Sequence, residues 1–204
     1  MAGAVLAAVA LTVLLPDDLR LGPVWLLPVV DAVLLVLVIV GDPGRIDRRS
    51  NAVRTMSIAL VAVLVLGALS GTIQLIDQLM HGGSVTRSAE ALLTAGATVW
   101  SANAIAFALL YWELDGGGSA ARAHGLPSHP DFAFPQQLNP ELAPPGWRPL
   151  FVDYLYLAFT NSTALSPTDT MPMAAWAKLA MMVQSLVSLA ILGLVVANAV
   201  NLFK

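Results

Sequence analysis

The chain has 204 residues, 57% of them hydrophobic and 11% charged, with a mean hydropathy of +0.76 and a net charge of −3. Soluble domains carry roughly 25% charged residues, so this composition marks a helical protein that crosses a bilayer several times, and its acidic balance leaves no footprint for nucleic acid. With no cysteine, disulfides, thiolate metal sites and cysteine nucleophiles are excluded.

The chain opens on a short apolar stretch, residues 2–15, followed by the polar patch Pro16-Asp17-Asp18-Leu19-Arg20. It has no Lys or Arg before its apolar run, which predicts a short first span rather than a removed leader. Gly22-Pro23 opens a second span over residues 24–40, with Pro28 and Asp31 inside it. A carboxylate within a span is expensive and faces either the bundle interior or water. Asp31 therefore either lies near the interface, within reach of Arg20, or serves a pathway or gate. The loop that follows holds Arg45, Arg48, Arg49 and Arg54, four of the ten Lys and Arg residues. By the positive-inside rule it belongs in the cytoplasm.

A third span is predicted over residues 55–76, with Gly67 and Gly71 spaced for close helix approach, and Gln74 and Asp77 at its polar end. A fourth runs over residues 88–112. Asn103 within it predicts an interhelical hydrogen bond, and Tyr111-Trp112 at its end an interfacial aromatic belt. Residues 115–149, with Gly116-Gly117-Gly118 and six prolines from Pro127 to Pro145, predict an irregular loop with no core of its own. His124, His129 and Asp131 lie here at a spacing that matches no metal-ligand pattern.

The last quarter has a different grammar. Residues 150–160 are aromatic and apolar but too short to cross a bilayer, residues 161–172 are polar and broken by Pro167 and Pro172, and residues 173–203 are long and apolar. Half-span, polar turn and full span predict a re-entrant hairpin, because irregular backbone at membrane depth is tolerated only where protein or water surrounds it. The fold expected is an all-α membrane protein of about five transmembrane helices plus a re-entrant half-helix before the last span. Its regions are 1–114, four helices; 115–149, a Pro/Gly-rich loop; and 150–204, the hairpin. Gln184 and Ser188 within the last span are candidates to face a cavity.

The run Thr163-Ala164-Leu165-Ser166-Pro167-Thr168-Asp169, with Pro172, Trp176 and Lys178 after it, resembles in spacing the pore region of tetrameric potassium channels, whose filter reads T-T-V-G-Y-G-D. The resemblance implies that residues 154–159 form a pore helix, that Thr163 to Asp169 line a narrow path, and that four copies surround it with a monovalent cation as cargo. The filter departs from the family. Ala164 stands at the second threonine, Ser166 and Thr168 stand at the two glycines, and Pro167 at the tyrosine. Those glycines let successive carbonyls turn toward the ion, so a wider hydroxyl-lined pore or a closed plug is expected. The chain is also similar to a widespread bacterial family of small membrane proteins of unknown function. That likeness rests on the arginine loop, the stretch ending Leu109-Leu110-Tyr111-Trp112, the run from Asp131 to Pro135, Asp153-Tyr154-Leu155-Tyr156 and the terminal Ala199-Val200-Asn201. It implies residence in a bacterial inner membrane.

Two signals disagree on orientation. A hairpin entering from outside, counted back through the spans, places the arginine loop outside, whereas the arginines themselves place it inside and open the hairpin to the cytoplasm. Four arginines outweigh a degenerate filter, which points to an inverted or non-pore hairpin. Three functions follow: an ion-channel-like oligomer, a small solute transporter whose broken segment forms the site, or a non-conducting membrane subunit with the hairpin as a plug. No metal-protease motif, nucleophile elbow or Gly-rich phosphate loop occurs, so neither catalysis nor a cofactor is expected.

Overall fold

The computed structural model describes residues 2–20, 22, 23, 25–41, 51–123, 129–163 and 169–202. In chain order the helices are α1 (Ala2–Leu14), α2 (Leu26–Gly41), α3 (Asn51–His81), α4 (Ala89–Leu114), α5 (Ser119–Ala123), α6 (Pro135–Leu138), α7 (Phe151–Thr163) and α8 (Ala175–Leu202). Two short strands, β1 (Phe132–Ala133) and β2 (Met171–Pro172), pair antiparallel with Phe132 opposite Pro172 and Ala133 opposite Met171.

Among the described residues, three helices are long and apolar enough to cross a membrane: 52–81, the stretch from Ala89 through Gly117, and α8. At 1.5 Å per residue a bilayer core of about 30 Å needs about 20 residues. The 13 residues of α1, the 16 of α2 and the 13 of α7 fall short of that. Helix α3 is longer than the span expected at 55–76. It continues through Gln74 and Asp77 because no breaker intervenes until Gly82, whose φ of +82° ends the helix. Pro28 does not interrupt α2. It falls in the first turn, where the backbone N–H has no intrahelical partner to lose.

Helix α4 is the centre of the molecule. It touches α1, α3, α7 and α8, and 61% of its most apolar stretch is buried, against 39% for α3 and 28% for α8. Its composition explains this, since small residues let neighbours approach closely. Gly96 is the tightest point: a Cβ there would lie 2.9 Å from a Val195 methyl of α8. Asn103 anchors α4 to α3, its Nδ2 donating to Thr72 Oγ1 at 2.7 Å and to the Ala68 carbonyl at 3.3 Å, as the sequence predicts. Gly67 and Gly71 of α3 sit against Leu27 and Leu15. A Cβ at Gly193 of α8, by contrast, would meet nothing within 4 Å. The outer faces of α2 and α8 carry exposed Val33, Val36 and Val40, and Leu179, Leu186 and Val196, side chains suited to acyl chains.

Three expectations are corrected. Residues 129–149 are not coreless: Phe132 and Phe134 are buried, packed edge-on against Tyr154 at 6.5 and 5.2 Å between ring centres. Interleaved aromatics supply the burial that prolines deny to regular structure. Tyr111 is not an interfacial belt residue but fully buried. Asp31 is buried, but Arg20 does not reach it: Arg20 pairs with Asp17 at 2.6 Å and donates to the Val13 carbonyl. Arg45, Arg48, Arg49 and His124 lie outside the described residues. Arg54 lies in the first turn of α3.

Gly96→Val is expected to wedge α4 from α8 and to destabilise the protein by about 1–3 kcal/mol, the usual range for overpacking. Gly193→Val, on the open face, should leave thermal unfolding in detergent unchanged.

Candidate functional site

The site is the pairing of α7 with α8, together with residues 169–172 ahead of α8 and the groups that hold them. Pro149 precedes α7 and disfavours helical backbone at the residue before it. Asp153 Oδ2 accepts the Leu150 N–H at 2.6 Å and so closes the start of α7. The helix runs on to Thr163, three residues past the expected end. Thr160 and Thr163 turn their hydroxyls back onto the carbonyls of Tyr156 and Phe159, which removes them as competitors for the backbone. Asn161 and Ser162 are therefore helical and buried, not part of a turn.

Their burial is explained by one side chain. Gln184 of α8 is fully buried, and both ends of its amide are in use. Its Oε1 accepts from Tyr111 of α4 at 2.6 Å and from Asn161 of α7 at 2.7 Å. Its Nε2 donates to the Ala158 carbonyl and to Ser162 Oγ, each at 2.9 Å. Asn161 also donates to the Met181 carbonyl at 3.0 Å, and Ser185 donates to Asn161 Oδ1 at 3.0 Å. Three helices thus share one satisfied network in an apolar interior, where an unmade bond would be most costly. Gln184 and Ser188, both read as cavity candidates, lie inside the protomer with no exposed surface. Ser188 Oγ has no partner.

A second cluster holds the other end of the hairpin. Asp115 follows α4, and its Oδ1 accepts the N–H groups of Asp131 and Phe132 at 3.0 and 3.1 Å. Its Oδ2 accepts from the Tyr154 hydroxyl at 2.5 Å. Burial, then the nearby Asp115 charge, pushes the Tyr154 phenol above its ordinary range, so it remains a donor. Asp131 in turn accepts the Gly116 N–H through its side chain at 2.8 Å and the Met173 N–H through its carbonyl at 2.8 Å. The chain leaving the polar turn is therefore clamped by the β1–β2 pair and by Asp131. The clamp needs the chain to reverse sharply after α4. Gly116, Gly117 and Gly118 do this with φ of 56°, 79° and 96°, a left-handed run that side chains disfavour. Arg122 closes the end of α4: its Nη1 donates to the carbonyls of Trp112 and Asp115 at 2.8 and 2.5 Å, and its guanidinium lies 4.6 Å from the centre of the Trp112 ring.

Among the filter-like residues, Thr163 and Asp169 are both exposed. Ala164, Leu165, Ser166, Pro167 and Thr168 lie outside the described residues. A groove of about 290 Å³ beside Asp169 is lined also by Asp153, Tyr156 and Phe134. Trp176 packs edge-on against Phe132 at 5.6 Å, whereas Lys178 is exposed. Asp31, the intramembrane acid, lies on α2, which makes its main packing with α3 rather than with the hairpin, and its Oδ1 has no partner. Among the described residues no group of three or more His, Asp or Glu side chains is placed to hold a metal ion. Sequence reasoning missed Asp115, Arg122 and the Gln184–Asn161–Tyr111 network. The triple glycine following an aspartate was the available signal for the clamp. Nothing in the spacing of residues 111, 161 and 184 pairs them.

No protein-family model, curated protein or solved structure matches the chain. Fold and site together define a helical, membrane-embedded protein with a short helix locked beside a span-length one.

Gln184→Leu leaves the Tyr111 hydroxyl, the Asn161 amide and Ser162 short of partners and should destabilise the protein by about 1–3 kcal/mol. Ser188→Ala, which removes an unpartnered hydroxyl, should be neutral or slightly stabilising in the same thermal-unfolding series.

Proposed function

We propose that the chain is an ion-channel-like protein of the bacterial inner membrane, with α7 re-entrant, about five transmembrane helices including α1 and α2, and residues 163–169 lining a path at an axis between copies. A homotetramer passing a monovalent cation fits the resemblance of that segment to potassium-channel pores. One observation carries the reading. A helix too short to cross is locked by Gln184 and Asn161 to one long enough to do so, while Thr163 and Asp169, on either side of the polar segment, are exposed on the protomer. Rigid support behind and open surface in front is what a pore lining requires. Asp169 would concentrate cations at the mouth.

A second reading, a non-conducting membrane subunit with the hairpin as a plug, is favoured by Pro167, Ser166 and Thr168 standing where a potassium filter has Tyr and two Gly. Flux decides between them. The absence of cysteine makes single-cysteine variants clean reporters. Thr163→Cys is expected to crosslink between copies under mild oxidation, and cation flux into proteoliposomes is expected to fall in Asp169→Asn. Crosslinking without flux supports the plug. Absence of both removes the pore reading and leaves the solute transporter, which saturable uptake would reveal.

A further inference from the structure

Three separate stretches of chain line the groove of about 290 Å³ beside Asp169. Helix α6 gives Gln136, the first turns of α7 give Asp153 and Tyr156, and the residues just ahead of β2 give Asp169 and Thr170. Asp153 and Tyr156 are three apart on α7 and so share a face. Two carboxylates stand in this wall, and among the described residues no Lys, Arg or His stands with them, whereas Arg122 and Arg148 line a different cavity at the end of α4. One oxygen of Asp153 takes the Leu150 N–H, and part of its charge answers the positive end of α7. Asp169 is exposed and makes neither a hydrogen bond nor an ion pair among the described residues, so it supplies most of the negative charge. Thr170 adds a different observation. It is only 5% exposed, yet its hydroxyl bonds no group among the described residues. A buried hydroxyl is rarely left unmet, and because Thr170 lines the groove, this one can be met from there.

We propose that this groove binds a hydrated divalent cation of the magnesium kind, with Asp169 and Asp153 answering its charge and the Thr170 hydroxyl accepting from its water shell. Magnesium gives up water reluctantly and is held by one or two carboxylates while it keeps the rest of its shell, so such a site does not need three acids. A full shell of about six waters, at roughly 30 Å³ each, fits a groove of about 290 Å³. The hydroxyl of Thr170, the amide of Gln136 and the phenol of Tyr156 put further oxygens beside the two carboxylates, the donor type that hard cations take. All of these groups belong to one protomer. The site therefore does not depend on an axis between copies, and it stands or falls separately from the pore reading.

The test uses the full chain purified in a non-ionic detergent, stripped of lipid and of metal with a chelator, and titrated with Mn²⁺. Free Mn²⁺ is read by its electron paramagnetic resonance signal, with no flux measured. A one-to-one complex that Mg²⁺ displaces is expected. Asp169→Asn should weaken it about tenfold or more, the loss of a charged partner. Thr170→Val keeps the shape of the side chain, removes only the hydroxyl and should weaken it about threefold, the worth of one hydrogen bond. Asp18→Asn, an exposed acid outside the groove, should leave the affinity unchanged. Tm without cation shows that each variant folds, which the exposure of Asp169 and the near-identical shape of valine favour. The proposal is overturned if the natural chain binds no Mn²⁺, or if Asp169→Asn binds as it does. It is overturned also if Thr170→Val binds unchanged, since Asp169 then acts as a lone surface charge, or if Asp18→Asn loses as much as Asp169→Asn, since the ion is then adventitious.

Discussion

The amide of Gln184 is the constraint on which the hairpin depends. An apolar interior offers no water to a polar side chain, so a glutamine placed there must find partners or destabilise the fold. Gln184 finds them on two other helices at once, Tyr111 of α4 and Asn161, Ser162 and the Ala158 carbonyl of α7. Because each bond requires a particular rotation and height of its helix, the network sets the register of α7 against α8 more narrowly than leucine packing could. Apolar side chains tolerate small slides, whereas a four-bond amide does not.

That lock has a counterpart at the opposite end of α7. Asp115, Asp131, Tyr154 and the β1–β2 pair hold the chain where it returns from the polar segment. Thr163, at the end of α7, and Asp169, ahead of the strand pair, are both exposed. The clamp is stable because residues 131–134 bury two phenylalanines against Tyr154 and Trp176, and because three consecutive glycines accept left-handed backbone. The loop that looks like a linker is thus part of the hairpin's support.

Helical membrane character was legible at once from composition, and so were the long apolar helices and the Asn103 bridge. The shortness of residues 150–160 and the break at Pro167 announced that something other than a plain span precedes α8. Less legible was where α7 ends. Asn161, Ser162 and Thr163 read as turn residues by local propensity, and tertiary hydrogen bonds to Gln184 and Met181 overrode it. Tyr111 read as an interfacial residue because aromatic position in the sequence does not reveal depth in the bundle.

By itself the sequence determined the solvent of this protein and the periodicity of its helices, because both follow from the free energy of transferring each side chain, residue by residue. Which helix became the hub was decided by tertiary structure. So were the partners of Gln184 and the burial of Phe132. Each of these joins residues tens of positions apart, and only the packed chain can bring an amide at 184 to a phenol at 111, or a carboxylate at 115 to a backbone N–H at 132.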